Sequence, residues 1–197
     1  MPSSKPRHSS SKGNIRIIAG TYRGRKLPVL DMNGLRPTAD RVKETLFNWL
    51  MHDLPHAKVL DMFSGAGSLG FEALSRGAAS VTLIEKAKAS YQQLQKNAQI
   101  LKAEDRLEVI HADALQACSM LRHAYDIVFI DPPFNQQLVN PALDALVKYQ
   151  CLKDGGLVYI ETEADFDDSK LHHFGKLSML KEKSSQTLRF RLFKYYA

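Results

Sequence analysis

Short apolar runs that alternate with amphipathic segments constrain the fold of this chain more than any other feature. The runs that predict strands are Val59–Phe63, Val81–Ile84, Leu107–Ile110, Tyr125–Ile130 and Gly156–Ile160. The segments with helical periodicity between them are Ser68–Arg76, Ala87–Leu101, Ala114–Leu121 and Asn140–Tyr149. Strands that alternate with helices form a parallel sheet with right-handed crossovers. The alternation therefore predicts an α/β fold with a mostly parallel sheet and helices on both of its faces.

Both ends of the chain depart from this alternation. Lys176–Glu182 and Leu188–Tyr195 predict a C-terminal hairpin, which adds an antiparallel strand and brings the sheet to seven strands. Ile15–Ile18 and Lys26–Val29 flank turn residues and predict a basic β-hairpin, and a helix over 39–51 follows it, capped by Thr38. We expect residues 1–13, rich in Ser, Lys and Pro, to be a disordered tail. Residues 14–197 then form a single domain that includes the hairpin region 14–37.

Composition and charge narrow the class of protein. No apolar run approaches the roughly 20 residues that span a bilayer, and the polar N-terminus lacks a secretory pattern. We therefore expect a cytoplasmic protein with no membrane partner. The cysteines and histidines lack metal-ligand spacing, so no metal site is predicted and both cysteines are expected to be reduced and buried. The net charge is +6, and residues 1–30 contain seven lysines and arginines but no acid. Such a stretch suits a polyanionic partner, although a solvated tail would have the same composition.

A glycine-rich turn follows the first strand of the alternation. Residues 61–70 read DMFSGAGSLG and contain GxGxxG between a strand and a helix, the context that this motif requires. Glu85 ends the next strand, where a carboxylate can accept hydrogen bonds from ribose hydroxyls. These residues predict an adenosine-containing cofactor and leave NAD, FAD and S-adenosylmethionine (SAM) open. Asp61 favours SAM, because a carboxylate there would repel a pyrophosphate but support a cationic sulfonium and amino-acid group. Asp113, after the third strand, can accept a hydrogen bond from the adenine amine.

The tetrapeptide Asp131-Pro132-Pro133-Phe134 follows the fourth strand. Each proline fixes φ and lacks an N–H, so the carbonyl groups of Asp131 and Pro132 can point outward while Phe134 stacks on a planar ring. These four residues form a rigid surface, called the ledge below, which fits a flat heterocycle that carries an exocyclic amine. It shares the carboxyl edge of the predicted sheet with the glycine turn, and open α/β sheets bind ligands at that edge.

These residues resemble SAM-dependent methyltransferases of the seven-stranded Rossmann-like class. The tetrapeptide is similar to the Asn/Asp-Pro-Pro-aromatic motif of enzymes that methylate exocyclic amines of bases. The N-terminal half narrows the resemblance: IRIIAG at 15–20, RGRKL at 23–27, and RPT at 36–38 followed by RVKETLFNWL at 41–50. These segments resemble the RsmD family of bacterial 16S ribosomal RNA guanine-N2 methyltransferases, and the resemblance runs from about residue 14 to the end of the chain.

The resemblance implies SAM-dependent methylation of the N2 amine of a guanine in 16S ribosomal RNA, by direct in-line transfer to an extruded base. The substrate would be this RNA within a 30S subunit or an assembly intermediate, and the enzyme is expected to be a monomer. The implied catalytic residues are Asp131, Pro132, Pro133 and Phe134. The implied cofactor residues are Asp61, Phe63, Gly65, Gly67, Glu85, Asp113 and Ala114. The expected RNA-binding residues are Arg16, Arg23, Arg25, Lys26 and Arg36, the last of which could instead form a structural ion pair.

Three alternatives stay open at the level of the sequence. A DNA methyltransferase acting on adenine N6 or cytosine N4 would share the tetrapeptide, although Asn usually stands at the position of Asp131 in such enzymes. It would also need a target-recognition domain, for which this chain has little room. An NAD-dependent oxidoreductase would share the glycine motif but would give the tetrapeptide no role. A non-catalytic RNA-binding protein would keep the fold without turnover.

Overall fold

The computed structural model of the chain describes residues 13–30, 40–121 and 124–197. The predicted tail (except Gly13), the expected RNA-binding residue Arg36 and the predicted cap Thr38 lie outside these residues. The strands are β1 Asn14–Arg16, β2 Lys26–Pro28, β3 Lys58–Asp61, β4 Ser80–Glu85, β5 Leu107–His111, β6 Tyr125–Ile130, β7 Leu152–Glu163, β8 Leu177–Ser184 and β9 Leu188–Tyr195. The helices are α1 Asp40–Trp49, α2 Ser68–Ser75, α3 Lys88–Leu101, α4 Ala114–Ala117 and α5 Val139–Lys148.

Seven strands form one sheet in the order β5-β4-β3-β6-β7-β9-β8. All neighbours from β5 to β7 are parallel, and β9 is antiparallel to both β7 and β8. Buried side chains of α1, α2 and α3 pack on one face, and those of α4 and α5 pack on the other. The predicted fold is therefore confirmed. The strand order reverses between β3 and β6, which are neighbours in the sheet, so their carboxyl ends flank the crevice where such sheets bind ligands.

Two elements differ from the sequence prediction. β7 begins at Leu152 rather than at Gly156, because the strand continues through an irregularity in its pairing with β6. Gly155 has a φ of 75°, which lets the chain make this bulge, so the two glycines interrupt the strand without beginning it. The helix predicted over 114–121 is shorter, because after α4 the chain tightens into a 3-10 turn at Cys118–Met120.

The basic hairpin of β1 and β2 is fastened to α2 by hydrogen bonds with Ser75 and with the buried carboxylate of Glu72. Glu72 accepts hydrogen bonds from the N–H groups of Ile18 (2.8 Å) and Ala19 (3.0 Å), and from Nε of Arg76 (2.7 Å). The next residue, Gly20, has a φ of 82° and lies so close to α2 that a Cβ there would be 1.9 Å from the Ser75 carbonyl oxygen. The hairpin is therefore a fixed part of the domain surface.

The cysteines are distant in sequence but adjacent in the fold. Both are buried free thiols, as predicted, and Sγ of Cys151 lies 3.5 Å from the carbonyl oxygen of Cys118. The hydrogen bond with Cys151 and burial raise the pKa of the Cys118 thiol. The pair belongs to the core beside α4 and β7.

Candidate active site

The carboxyl ends of β3 and β4 hold the glycine turn in place. Glu85 accepts hydrogen bonds from the N–H groups of Gly65 (2.9 Å) and Ala87 (2.7 Å). Gly65 and Gly67 have φ values of 51° and 80°, a region that favours glycine. A Cβ at Gly67 would also lie 2.5 Å from the ring of Phe71, so the turn packs closely on α2. Glu85 thus holds the turn through the hydrogen bond from Gly65. It also ends β4, the position at which a carboxylate was predicted to bind the ribose hydroxyls.

Asp61 ends β3 beneath this turn and is almost wholly buried. Burial, with the negative charge of Asp131 and a smaller contribution from Glu85, raises its pKa to about 8, although hydrogen bonds from the N–H groups of Gly70 and Phe63 act in the opposite direction. Phe63 is half-buried at the next bend of the chain. A cation bound nearby would favour the charged form of this carboxyl group and lower its pKa. The site is therefore suited to a positively charged group.

Asp113 lies at the end of β5 and caps α4. One carboxylate oxygen accepts from the N–H of Leu115 (3.0 Å), and the other contacts Nζ of Lys86 (3.1 Å). Burial acts to raise the pKa of Asp113, but the hydrogen bonds from Lys86 and Leu115 outweigh it and lower the pKa. Ala114 is buried as the first residue of α4. Asp113 therefore has a structural role as the N-cap of α4 in addition to the position predicted for an adenine contact.

The tetrapeptide follows β6 directly and reaches from the core to the surface. Asp131 is half-buried, Pro132 is buried, and both Pro133 and Phe134 are exposed, the latter by 45%. Phe134 therefore presents its ring to the outside of the sheet edge.

A second buried acid near the tetrapeptide was missed at the level of the sequence. Glu161 on β7 accepts a hydrogen bond from the hydroxyl of Tyr159 (2.8 Å). Burial and the negative charge of Asp131 raise the pKa of Glu161 to about 8. The available signal was an acid directly after the apolar residues 157–160 of β7, because charged side chains are rarely buried unless they are paired.

A cleft of about 340 Å³ opens between the tetrapeptide and the end of β7. The loop that bounds it is held by Glu163, whose Oε1 accepts from the N–H of Asn135 at 2.5 Å. Asn135 and Gln137 have φ values of 62° and 52°, which non-glycine residues rarely adopt. The far wall includes Phe166, whose ring lies 5.7 Å from the guanidinium carbon of Arg191. The cleft gives Phe134 a neighbouring space large enough for a flat ring.

The predicted RNA-binding residues that the structure describes share one property. Arg16, Arg23, Arg25 and Lys26 are all exposed, while Ile15, Ile17 and Leu27 of the same hairpin are buried. Arg16 and Lys26 lie directly opposite each other across the two strands. Like charges in this arrangement are destabilising, so the hairpin maintains positive charge at some cost in stability. Arg36 lies outside the described residues.

Two further features bear on the kind of protein. In the parts of the chain that the structure describes, no group of three or more His, Cys, Asp or Glu residues could hold a metal ion. Over the same residues, no helix has both the length and the apolar character to cross a membrane. His172 and His173 both contact the carboxylate of Asp144 at 2.9 Å.

Comparison with known proteins gives consistent matches. The family model described as Conserved hypothetical protein 95 matches residues 15–194. Ribosomal RNA small subunit methyltransferase D of Haemophilus influenzae is 46% identical over 187 residues, which are 93% of this chain and 95% of that protein. The protein of the same name from Escherichia coli K12 is 49% identical over 161 residues, covering 82% and 80% of the two chains.

Solved structures agree with these matches. The structure of yhhF from Escherichia coli superposes with a TM-score of 0.86 at 43% identity, covering 94% of this chain and 99% of that chain. The tRNA m1G37 methyltransferase of M. jannaschii shares the fold, with a TM-score of 0.66 at 18% identity, covering 88% of this chain and 55% of that chain.

Proposed function

Because the chain belongs to the RsmD family, we propose that it transfers a methyl group from SAM to the exocyclic N2 amine of a guanine in 16S ribosomal RNA. The observation that carries this proposal is the arrangement of the buried acid Asp61, the glycine turn and the Asp131–Phe134 ledge at one edge of the sheet. The relatives' names support ribosomal RNA as the substrate class. The tetrapeptide supports an exocyclic amine as the acceptor.

The residues around the glycine turn fit SAM. Gly65 and Gly67 give the turn its positive φ values of 51° and 80°, and the missing Cβ at Gly67 lets the turn pack on Phe71 and Leu94, which keeps it at the carboxyl edge where the cofactor would bind. Asp61 would stabilise the positively charged end of the cofactor, and Phe63 would line that part of the site. Glu85 would hold the ribose, while Asp113 and Ala114 would hold the adenine. When bound, SAM supplies a methyl group made electrophilic by its sulfonium centre.

The tetrapeptide would position the acceptor amine. The lone pair of guanine N2 is delocalised into the ring, so this nitrogen is a weak nucleophile. The Asp131 carboxylate and the Pro132 carbonyl accept its two hydrogens, which favours a pyramidal nitrogen directed at the methyl group. Pro133 fixes the backbone between these acceptors and Phe134, which stacks on the extruded base. Because N2 would gain a carbon it must lose one proton, which the Asp131 carboxylate would accept; no covalent enzyme intermediate is needed, and positioning would supply most of the rate.

The basic hairpin would bind the phosphates around the extruded base. Arg16, Arg23, Arg25 and Lys26 are exposed on an element that Glu72 fastens to the domain. A rigid basic surface aligns RNA at a constant distance from the ledge. Phosphate contacts set the register of the RNA, whereas the ledge acts on the base. We propose that the enzyme works as a monomer on 16S RNA within a 30S subunit or an assembly intermediate.

Substitution of Asp131 tests the role of the ledge. Asp131→Ala is expected to lower methyl transfer to 30S subunits by roughly 10²- to 10⁴-fold, while calorimetry gives SAM affinity close to that of the wild type. Asp131→Asn keeps one acceptor oxygen and is expected to retain intermediate activity. If Asp131→Ala instead loses SAM binding, Asp131 is a cofactor residue and the proposed ledge mechanism is wrong.

A further inference from the structure

The cleft beside the tetrapeptide contains a carboxylate that the proposed methyl transfer does not use. Glu163 ends β7, is half-buried, and lines the cleft together with Pro132, Pro133 and Phe134. Its Oε1 accepts the N–H of Asn135 at 2.5 Å, immediately after the ledge. One carboxylate oxygen therefore fixes the loop that carries Phe134, and the orientation of the group is set by this contact.

The chemistry of the cleft favours a base over a phosphate. Glu161, Glu163, Asp165 and Asp167 line it, together with Lys170. Such a lining repels the RNA backbone and accepts hydrogen bonds from N–H donors. The positive charge that suits phosphates lies on the hairpin instead. The cleft is thus a place for the edge of an extruded base.

Guanine differs from the other amine-bearing bases along that edge. Its N1–H and its N2 amine are adjacent donors, whereas adenine and cytosine each place a ring-nitrogen acceptor beside the amine. A carboxylate can only accept. A carboxylate facing N1 therefore pairs with guanine and is repelled by the lone pair of adenine or cytosine.

We infer that Glu163 selects guanine by accepting a hydrogen bond from N1–H while Asp131 holds the N2 amine. β6 and β7 are neighbouring parallel strands with Ile130 opposite Ile160, so Asp131 and Glu163 both lie at the carboxyl edge of the sheet; Glu163 lines the cleft, and so does Pro132, which follows Asp131 directly. Glu161 lies between them along β7 and is engaged by Tyr159. This inference rests on the proposed guanine-N2 activity and assigns its base selectivity to one residue.

The role assigned to Glu163 is tested by changing N1 of the base from a hydrogen-bond donor to an acceptor and changing residue 163 from an acceptor to a donor. The substrate is a reconstituted 30S subunit whose methylated position, once mapped by nucleoside analysis, carries either guanine or 2-aminopurine. 2-Aminopurine keeps the N2 amine but has an acceptor at N1. The wild type is expected to prefer guanine in kcat/KM by roughly 10- to 100-fold, the effect of one mismatched hydrogen bond. Glu163→Gln keeps an oxygen for the Asn135 N–H and offers an amide donor to N1.

Glu163→Gln is expected to lose activity on guanine, gain activity on 2-aminopurine, and retain SAM binding and the wild-type unfolding midpoint. Glu104→Gln, the same carboxylate-to-amide change at an exposed residue outside the cleft, is the matched control and is expected to keep the wild-type ratio of activities on the two bases. The inference would be overturned if Glu163→Gln kept the wild-type ratio of kcat/KM on guanine to kcat/KM on 2-aminopurine. It would also be overturned if the variant lost activity on both bases while remaining folded, and Glu163 would then only hold the loop in place. Failure of the wild type to methylate guanine would overturn the proposed function as well.

Discussion

Removal of the Glu72 carboxylate is predicted to loosen the attachment of the basic hairpin to α2, although the hydrogen bonds with Ser75 remain. The carboxylate is fully buried and accepts three hydrogen bonds, two from the hairpin backbone and one from Arg76. In Glu72→Ala the two N–H groups and the guanidinium lose their partner inside the protein. Breaking a buried charged pair in this way costs about 3–5 kcal/mol. A chain of this size loses roughly 2–4 °C in Tm per kcal/mol, so Tm should fall by about 6–20 °C.

The assay has a structural readout and a functional one. Urea unfolding gives the loss in free energy, and hydrogen exchange should show faster exchange at the amides of Ile18 and Ala19. RNA binding should weaken because the hairpin no longer holds a constant distance from the ledge, while SAM affinity should stay unchanged. Glu44→Ala, an exposed acid on α1, is the control and should change stability by less than about 0.5 kcal/mol. Wild-type stability in Glu72→Ala, or equal losses of SAM and RNA binding, would refute this reasoning.

Two further predictions concern the cofactor acid and the hairpin. The pKa of Asp61 is about 8 in the folded protein, above its ordinary value of 3.8. Its contribution to the stability of the cofactor-free protein is therefore fully present below pH 4 and is lost as pH rises towards 8. Asp61→Asn should flatten this decline in the free energy of unfolding while weakening SAM binding by roughly 10- to 100-fold in calorimetry; an unchanged pH profile would contradict the assignment. Replacing Arg16 and Lys26 with Ala should reduce the salt dependence of RNA binding, by about 0.7 in log–log slope for each phosphate that the hairpin no longer neutralises, without lowering Tm. If the variant kept the wild-type salt dependence of RNA binding, the RNA would have to contact a surface other than the hairpin.

The sequence predicted those strands and motifs that can be recognised from a short stretch of neighbouring residues. The alternating apolar runs located five strands of the sheet, and the C-terminal hairpin pattern located the other two. The GxGxxG turn and the tetrapeptide were located because each follows a strand directly. The misplaced start of β7 also has a local cause, since Gly155 and Gly156 have the composition of a turn but form a bulge within the strand.

The residues that sequence reasoning missed depend on contacts between distant segments. Glu72 is buried because the hairpin, more than 50 residues earlier, covers it. Lys43 is buried although it lies on an amphipathic helix, because its Nζ donates to the carbonyl oxygen of Arg16 at 2.9 Å. Glu161 and Glu163 face the cleft only because β7 lies beside β6 in the sheet. Periodicity along the chain carries no information on which strand will be the neighbour.

The most direct test of the account is methyl transfer from labelled SAM to three substrates in parallel, followed by nucleoside analysis. The substrates are 30S subunits from cells that lack this gene, protein-free 16S RNA and duplex DNA. We predict N2-methylguanosine in a ribosomal substrate and no label in DNA, and the better of the two ribosomal substrates identifies the assembly state that the enzyme recognises. Label in DNA, or none in any substrate despite SAM binding, would contradict the account.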